Sequence, residues 1–174
     1  MLYAIVFLLL GPVSVHADFS SCRLSGSNQM SATYTLSTDE IPVPGQFSAS
    51  LEVQLDTAID ENVRAEVEIS RQVLFWSVSV PCVGTGQGFG SCSYDDVCAL
   101  LEGVTKTCNG QPCRCPISPG TYTFSNLQFS TNNLHPVIRR VARNTIFYVQ
   151  IKFFNKTSGA LLSCLNTQLH TTGQ

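Results

Sequence analysis

The chain has 174 residues, 44% of them hydrophobic and 13% charged, with 12 acidic against 10 basic side chains and eight cysteines. The net charge of -2 argues against nucleic acid as the main partner. The length suits one domain with a real core, so disulfides would reinforce that core and not replace it.

Leu2 to Leu10 is almost purely apolar, Gly11 and Pro12 break it, and Val15-His16-Ala17 places a small residue where a signal peptidase would cut. The run is shorter than the about 20 residues a spanning helix needs. Residues 1–17 are therefore expected to be a signal peptide and residues 18–174 a single secreted domain, although no Lys or Arg precedes the apolar core. A short uncleaved anchor is the alternative.

Strict alternation of apolar and polar residues then recurs, the mark of strands with one buried face. Phe47, Ala49, Leu51, Val53 and Leu55 form one such set, and Val63, Ala65, Val67 and Ile69 the next. Trp76, Val78 and Val80 follow, then Tyr122 and Phe124, then Phe147, Val149, Ile151 and Phe153; Leu161–Leu169 is expected to be the last strand. Pro42-Val43-Pro44-Gly45, Asp60-Glu61-Asn62, Pro119-Gly120 and Lys156-Thr157-Ser158-Gly159 read as turns. The one helix candidate is Tyr94–Glu102, with Asp95 and Asp96 in its first turn. The pattern predicts an all-β antiparallel sandwich.

Three segments break the alternation. Val73-Leu74-Phe75-Trp76 is a continuous apolar run at an expected turn, which is unusual because connections normally run through water. Leu134-His135-Pro136-Val137-Ile138 is a second, followed by Arg139, Arg140 and Arg143. Val83–Gly90 is a glycine-rich link between Cys82 and Cys92 that lacks the lysine of a phosphate-binding loop.

No catalytic motif of the nucleophile-elbow, His-Glu-x-x-His or Walker type is present, and His135 and His170 belong to no recognisable constellation. No catalytic residue, metal or cofactor is predicted. Cys113-Arg114-Cys115 resembles half a zinc site, but an oxidising compartment favours disulfides. Eight cysteines permit 105 pairings. Asn155-Lys156-Thr157 is the one glycosylation sequon. The inward faces could fill a core at ordinary density, the reading that pattern alone favours. They could instead splay and enclose an apolar cavity, with the two apolar loops as its rim.

At the cysteines the sequence becomes more specific. Ile41-Pro-Val-Pro-Gly45, Val80-Pro-Cys82, Gly90-Ser-Cys92, Cys98, Pro112-Cys-Arg-Cys-Pro116, Gly120-Thr-Tyr122 and the late Cys164 resemble, in order and spacing, the ML lipid-recognition domain family and its ganglioside activators. The resemblance covers nearly all of residues 18–174. It implies a β-cup with an immunoglobulin-like pair of sheets around an apolar pocket. It also implies the pairing Cys22–Cys164, Cys82–Cys92, Cys98–Cys115 and Cys108–Cys113. The pocket would be lined by Leu51, Val53, Val67, Ile69, Trp76, Val78, Val149, Ile151 and Phe153. Its membrane rim would be Val73, Leu74, Phe75, Val137, Ile138, Arg139 and Arg140.

By the same resemblance the activity is non-catalytic. The protein would extract a glycolipid from an anionic vesicle membrane in a lysosome or outside the cell and present it to a lysosomal hexosaminidase. A secreted innate-immune lipid module, general phospholipid or sterol transport, and a filled sandwich acting through its surface are the alternatives. The chain departs from the family where contact would be made. Its Cys82–Cys92 loop is longer, Cys98 to Cys108 is shorter, and Pro136-Val137-Ile138 stands where the family shows a tryptophan. Gln46 follows Gly45 where the family has a sequon.

Overall fold

The computed structural model describes residues 15–22, 29–73, 75–83, 90–104, 107–108, 111–134 and 136–173. The expected signal segment up to residue 14, Leu74, His135 and residues 84–89 of the glycine-rich link lie outside them. The described elements run β1 (Val15–Asp18), β2 (Ser20–Ser21), β3 (Met30–Leu36), β4 (Ile41–Val43), β5 (Gln46–Leu55), β6 (Val63–Val73) and β7 (Trp76–Ser79). After β8 (Ser93–Tyr94) come helix α1 (Val97–Val104), β9 (Thr107–Cys108), β10 (Gln111–Pro112) and β11 (Gly120–Ser130). Helix α2 (Pro136–Val141), β12 (Thr145–Asn155) and β13 (Leu161–Gly173) complete them. Strand β1 straddles the expected cleavage point, pairing Val15–Asp18 with Leu36–Thr33.

Two mainly antiparallel sheets face each other, as expected for an all-β sandwich. A four-stranded sheet has the order β1-β3-β5-β11, and the larger sheet has the order β2-β13-β12-β6-β7. In the first, Leu51 lies between Tyr34 of β3 and Phe124 of β11, and Val53 between Ala32 and Tyr122. In the second, Ile151 lies between Val67 and Leu165, and Phe153 between Ala65 and Ser163. These apolar rows across neighbouring strands make each sheet's inner face.

The structure corrects several local expectations. Alternation in β11 fails after Phe124 because a register shift between Phe124 and Leu127, with Asn126 at φ 54°, inserts an extra residue. Leu127 and Phe129 thereby rejoin the face that holds Tyr122 and Phe124. Ile41–Val43 is a short strand parallel to β13, with Val43 only 1% exposed, so the turn is confined to Pro44 and Gly45. A Cβ on Gly45 would lie 2.5 Å from the Pro42 Cβ, which requires glycine there.

Tyr94 belongs to β8 and not to the helix. Asp96 precedes α1 as its cap, its Oδ1 accepting from the Ala99 amide at 3.0 Å, so the helix starts at Val97. The apolar stretch at Leu134–Ile138 enters a second helix, α2, which the sequence reading lacks. Pro136 opens it, where a missing amide costs nothing.

Four disulfides join Cys22 to Cys164, Cys82 to Cys92, Cys98 to Cys115 and Cys108 to Cys113. This is the set named by the resemblance. The core holds a cluster around Met30, Leu55, Ile59, Val63, Ala65, Val97 and Leu165, a smaller one around Val43, Val80, Ala142 and Phe147, and a third of Cys108, Cys113 and Phe124. The first occupies the end where β6 begins. The second lies toward the β6–β7 turn and α2.

Candidate functional site

Between the sheets, at the α1 end, lies a cavity of about 180 Å³. Leu51 and Val53 of β5 and Ile151 and Phe153 of β12 form facing walls. Met30 and Ala32 of β3 and Tyr122 and Phe124 of β11 extend the first wall, and Val97 and Leu101 of α1 cover the space. The Tyr122 hydroxyl is directed away, donating to the Ser118 carbonyl at 2.7 Å, which leaves the ring as part of an apolar lining.

The sheets are held together along one edge and stand apart along the other. On the β3–β13 side the Tyr34 hydroxyl lies 2.8 Å from Thr167 Oγ1, and Ser163 donates to the Met30 carbonyl at 3.2 Å. On the β11 and β7 side, Phe129 and Val78 have inward-facing register yet are 39% and 44% exposed. Phe129 stacks on Phe47 with ring centroids 5.3 Å apart. An inner face that stays wet at one edge gives the cup an opening there.

The residues named from the sequence thus separate into groups. Leu51, Val53, Ile151 and Phe153 line the cavity together. Val67 is half-buried beside Ile151 but is not on the cavity wall, while Ile69 and Val149 pack against the second cluster. Trp76 is 76% exposed and Val78 stands at the opening, because β7 is the edge strand and nothing from the opposite sheet covers it. Neither lines the enclosed space.

Val73 pairs with Trp76, so the β6–β7 turn is two residues long, and Phe75 at its tip is 94% exposed. Leu74 lies outside the described residues. Helix α2 sits beside this hairpin, its Val141 carbonyl accepting from Arg71 Nη1 at 3.2 Å. Val137 is 64% exposed, whereas Ile138 is buried beneath the helix. Arg139 does not reach outward: its Nη2 donates to the Asn132 and Leu134 carbonyls and holds the preceding loop. Arg140 and Arg143 are the exposed cations of this end.

Asn155 lies at the other end of β12, opposite Val63. Its Oδ1 accepts from the Thr157 and Ser158 amides at 3.0 and 2.9 Å, which organises the following turn. Among the described residues, no group of three His, Cys, Asp or Glu side chains could hold a metal ion, and no helix is long and apolar enough to cross a membrane. His170 is exposed on β13. Burial raises the Tyr94 phenol above its ordinary pKa of 10.0.

The cavity residues that the sequence reading does not assign to the pocket have different origins. Met30 and Ala32, with Tyr34 further along the same strand face, alternate with Ser31 and Thr33, a strand signal as regular as that of β7. Val97 and Leu101 are the i and i+4 positions of α1, and its apolar side becomes the cover.

These features define a disulfide-stapled, two-sheet β-cup with an apolar interior open along one edge. The chain belongs to the ML domain family, whose model matches residues 16–170, and it carries the residue pattern of that lipid-recognition family. It is 30% identical over 109 residues to the ganglioside GM2 activator of Mus musculus, a match covering 58% of this chain and 55% of that protein. It is 23% identical over 149 residues to the ganglioside GM2 activator of Macaca fascicularis, covering 77% of each. The chain thus spans little more than half the length of the mouse relative. A crystal structure of a Niemann-Pick type C2 protein from Japanese carpenter ant covers 88% of this chain and 98% of its own, with a TM-score of 0.46 at 12% identity.

Proposed function

We propose that the chain is a non-catalytic carrier, secreted or lysosomal, that takes a ganglioside-like glycolipid from an anionic membrane and presents it to a lysosomal hexosaminidase. The observation that carries this reading is the apolar cavity of about 180 Å³ between sheets whose inner faces also carry the exposed Val78 and Phe129. Pockets for drug-sized ligands measure about 300–1,000 Å³. The enclosed part would therefore take the end of one acyl chain, and the rest would lie along Val78, Phe129 and Phe47. Phe75, Trp76 and Val137 would enter the membrane interface, with Arg140 and Arg143 near anionic headgroups, each contributing about 1 kcal/mol. A glycan on Asn155 would stand at the far end, clear of the membrane. The names of the two ganglioside GM2 activator relatives support the choice of a ganglioside-like cargo.

Native mass spectrometry of the purified protein should show one bound lipid, and labelled glycolipid should move between liposomes in its presence. Absence of both would overturn the carrier reading. If transfer is seen but hexosaminidase cleavage of liposomal ganglioside is not accelerated, the carrier stands and the enzyme partner falls.

A further inference from the structure

A second and larger concavity, of about 810 Å³, lies on the outer face of the seven-stranded sheet, with that sheet between it and the apolar cavity. Register places its side chains in two parallel rows. In one, Ser20, Asn166, Gln150 and Glu68 stand side by side across β2, β13, β12 and β6. In the other, Gln168, Tyr148, Ser70 and Ser79 do so across β13, β12, β6 and β7. With strands about 4.8 Å apart, each row is about 14 Å long.

The chemistry of these rows is narrow. Their one charged group, Glu68, is paired with Lys152 Nζ at 2.7 Å, so the lining presents no unbalanced charge to a phosphate, a nucleic acid or a cation. The rest are amides and hydroxyls, which supply donors and acceptors side by side. Gln150 Nε2 donates to Asn166 Oδ1 at 3.0 Å, which fixes both amides and leaves Gln150 Oε1 and Asn166 Nδ2 for another partner. The Tyr148 hydroxyl donates to Gln72 at 3.2 Å, holding a ring that is 36% exposed.

An outer sheet face needs polar groups for solubility, but long charged side chains serve that need. They do so further along this same face, where Arg64 pairs with Glu66 and lies over the Phe154 ring. In the two rows every side chain but the paired Glu68 is neutral, and a groove remains.

We propose that this groove binds a neutral, lipid-free oligosaccharide. Sugar hydroxyls both donate and accept, matching the alternating amides and hydroxyls. The apolar C–H face of a pyranose would lie against Tyr148. Because the sheet separates groove from cavity, the two sites are expected to fill independently, and this site does not rest on the lipid reading.

The test is a printed array of neutral oligosaccharides without lipid, followed by calorimetric titration of the best binder in solution. Binding at millimolar concentration or tighter is expected for at least one glycan. Gln168→Ala should weaken it about tenfold, the loss of one good hydrogen bond. Ser70→Arg should abolish it by filling the groove, and both should leave glycolipid transfer between liposomes unchanged. If Ser70→Arg fails to fold, Gln168→Ala, on an exposed position, carries the test alone. The proposal is overturned if no array glycan binds, if only vesicle-borne glycolipid binds, or if the titration is the same in Gln168→Ala.

Discussion

At the end where β6 begins, Val63, Ala65, Ile117 and Val97 are all buried, and α1 closes over them. Where β6 turns into β7, Phe75 and Trp76 stand in solvent, as does Val137 of the neighbouring helix α2. The two ends use the same residue types for opposite purposes. At the closed end apolar side chains meet partners across the sheets, and their burial contributes to folding at about 25 cal/mol per Å². At the open end the rings of Phe75 and Trp76 are left largely in solvent. That contribution is then still available for a lipid or a membrane. The cavity lies at the closed end, between the sheets and under α1.

Removing the Cys22–Cys164 disulfide should have the largest effect on this arrangement. It closes a sequence separation of 142, against 5 for Cys108–Cys113, which corresponds to about 5 and about 2 kcal/mol of stabilisation on the chain-entropy account. Paired Cys→Ala substitutions compared by urea unfolding should reproduce that order. Equal losses would mean that strain or residual structure, and not loop length, sets their worth.

Next in size is a direct contrast of the two ends. Leu165→Ala at the closed end removes a buried side chain from the cavity wall and should cost about 2–5 kcal/mol. Val78→Ala at the opening should cost less than about 1 kcal/mol, because little burial is lost there. If the two variants unfold at similar urea concentrations, the sheets are closed in solution at the β7 edge.

What the sequence makes legible follows the same division. Alternation in β5, β6 and β12 identifies Leu51, Val53, Ile151 and Phe153 as inward, since packed strands need period two. It also puts Trp76 and Val78 inward, and the register agrees. Yet period says nothing about whether another sheet lies opposite, so their exposure could not be foreseen. The bulge at Asn126 hides the second half of β11, because an inserted residue inverts the alternation. Arg139 reads as a free cation in the sequence. Only the fold brings the Asn132 and Leu134 carbonyls within its reach.

The exposed hairpin offers a smaller and more selective perturbation. Phe75→Ser and Trp76→Ser touch residues without buried partners, so the urea midpoint should stay unchanged. Each should weaken binding to anionic liposomes about tenfold or more, since burying such a ring is worth about 1.5–3 kcal/mol. Sedimentation with phosphatidylserine vesicles measures this. Unchanged binding in both variants would remove the hairpin from the membrane rim and leave α2 to supply it.

The smallest expected effect returns to the closed end. Tyr94 packs against the main cluster, and burial holds its phenol above the ordinary pKa of 10.0. Below that value the phenol is neutral in both folded and unfolded chains, so stability is unaffected. Above it the unfolded chain loses its proton first while the folded chain keeps it. Stability should therefore fall as pH rises from the ordinary value toward the raised one. Tyr94→Phe cannot ionise and should lose this component of the alkaline decline. Urea midpoints at about pH 8 and about pH 11 isolate it, because other groups titrate alike in the two proteins. An identical decline would mean that the Tyr94 hydroxyl reaches water, and with it that α1 does not seal this end of the cup.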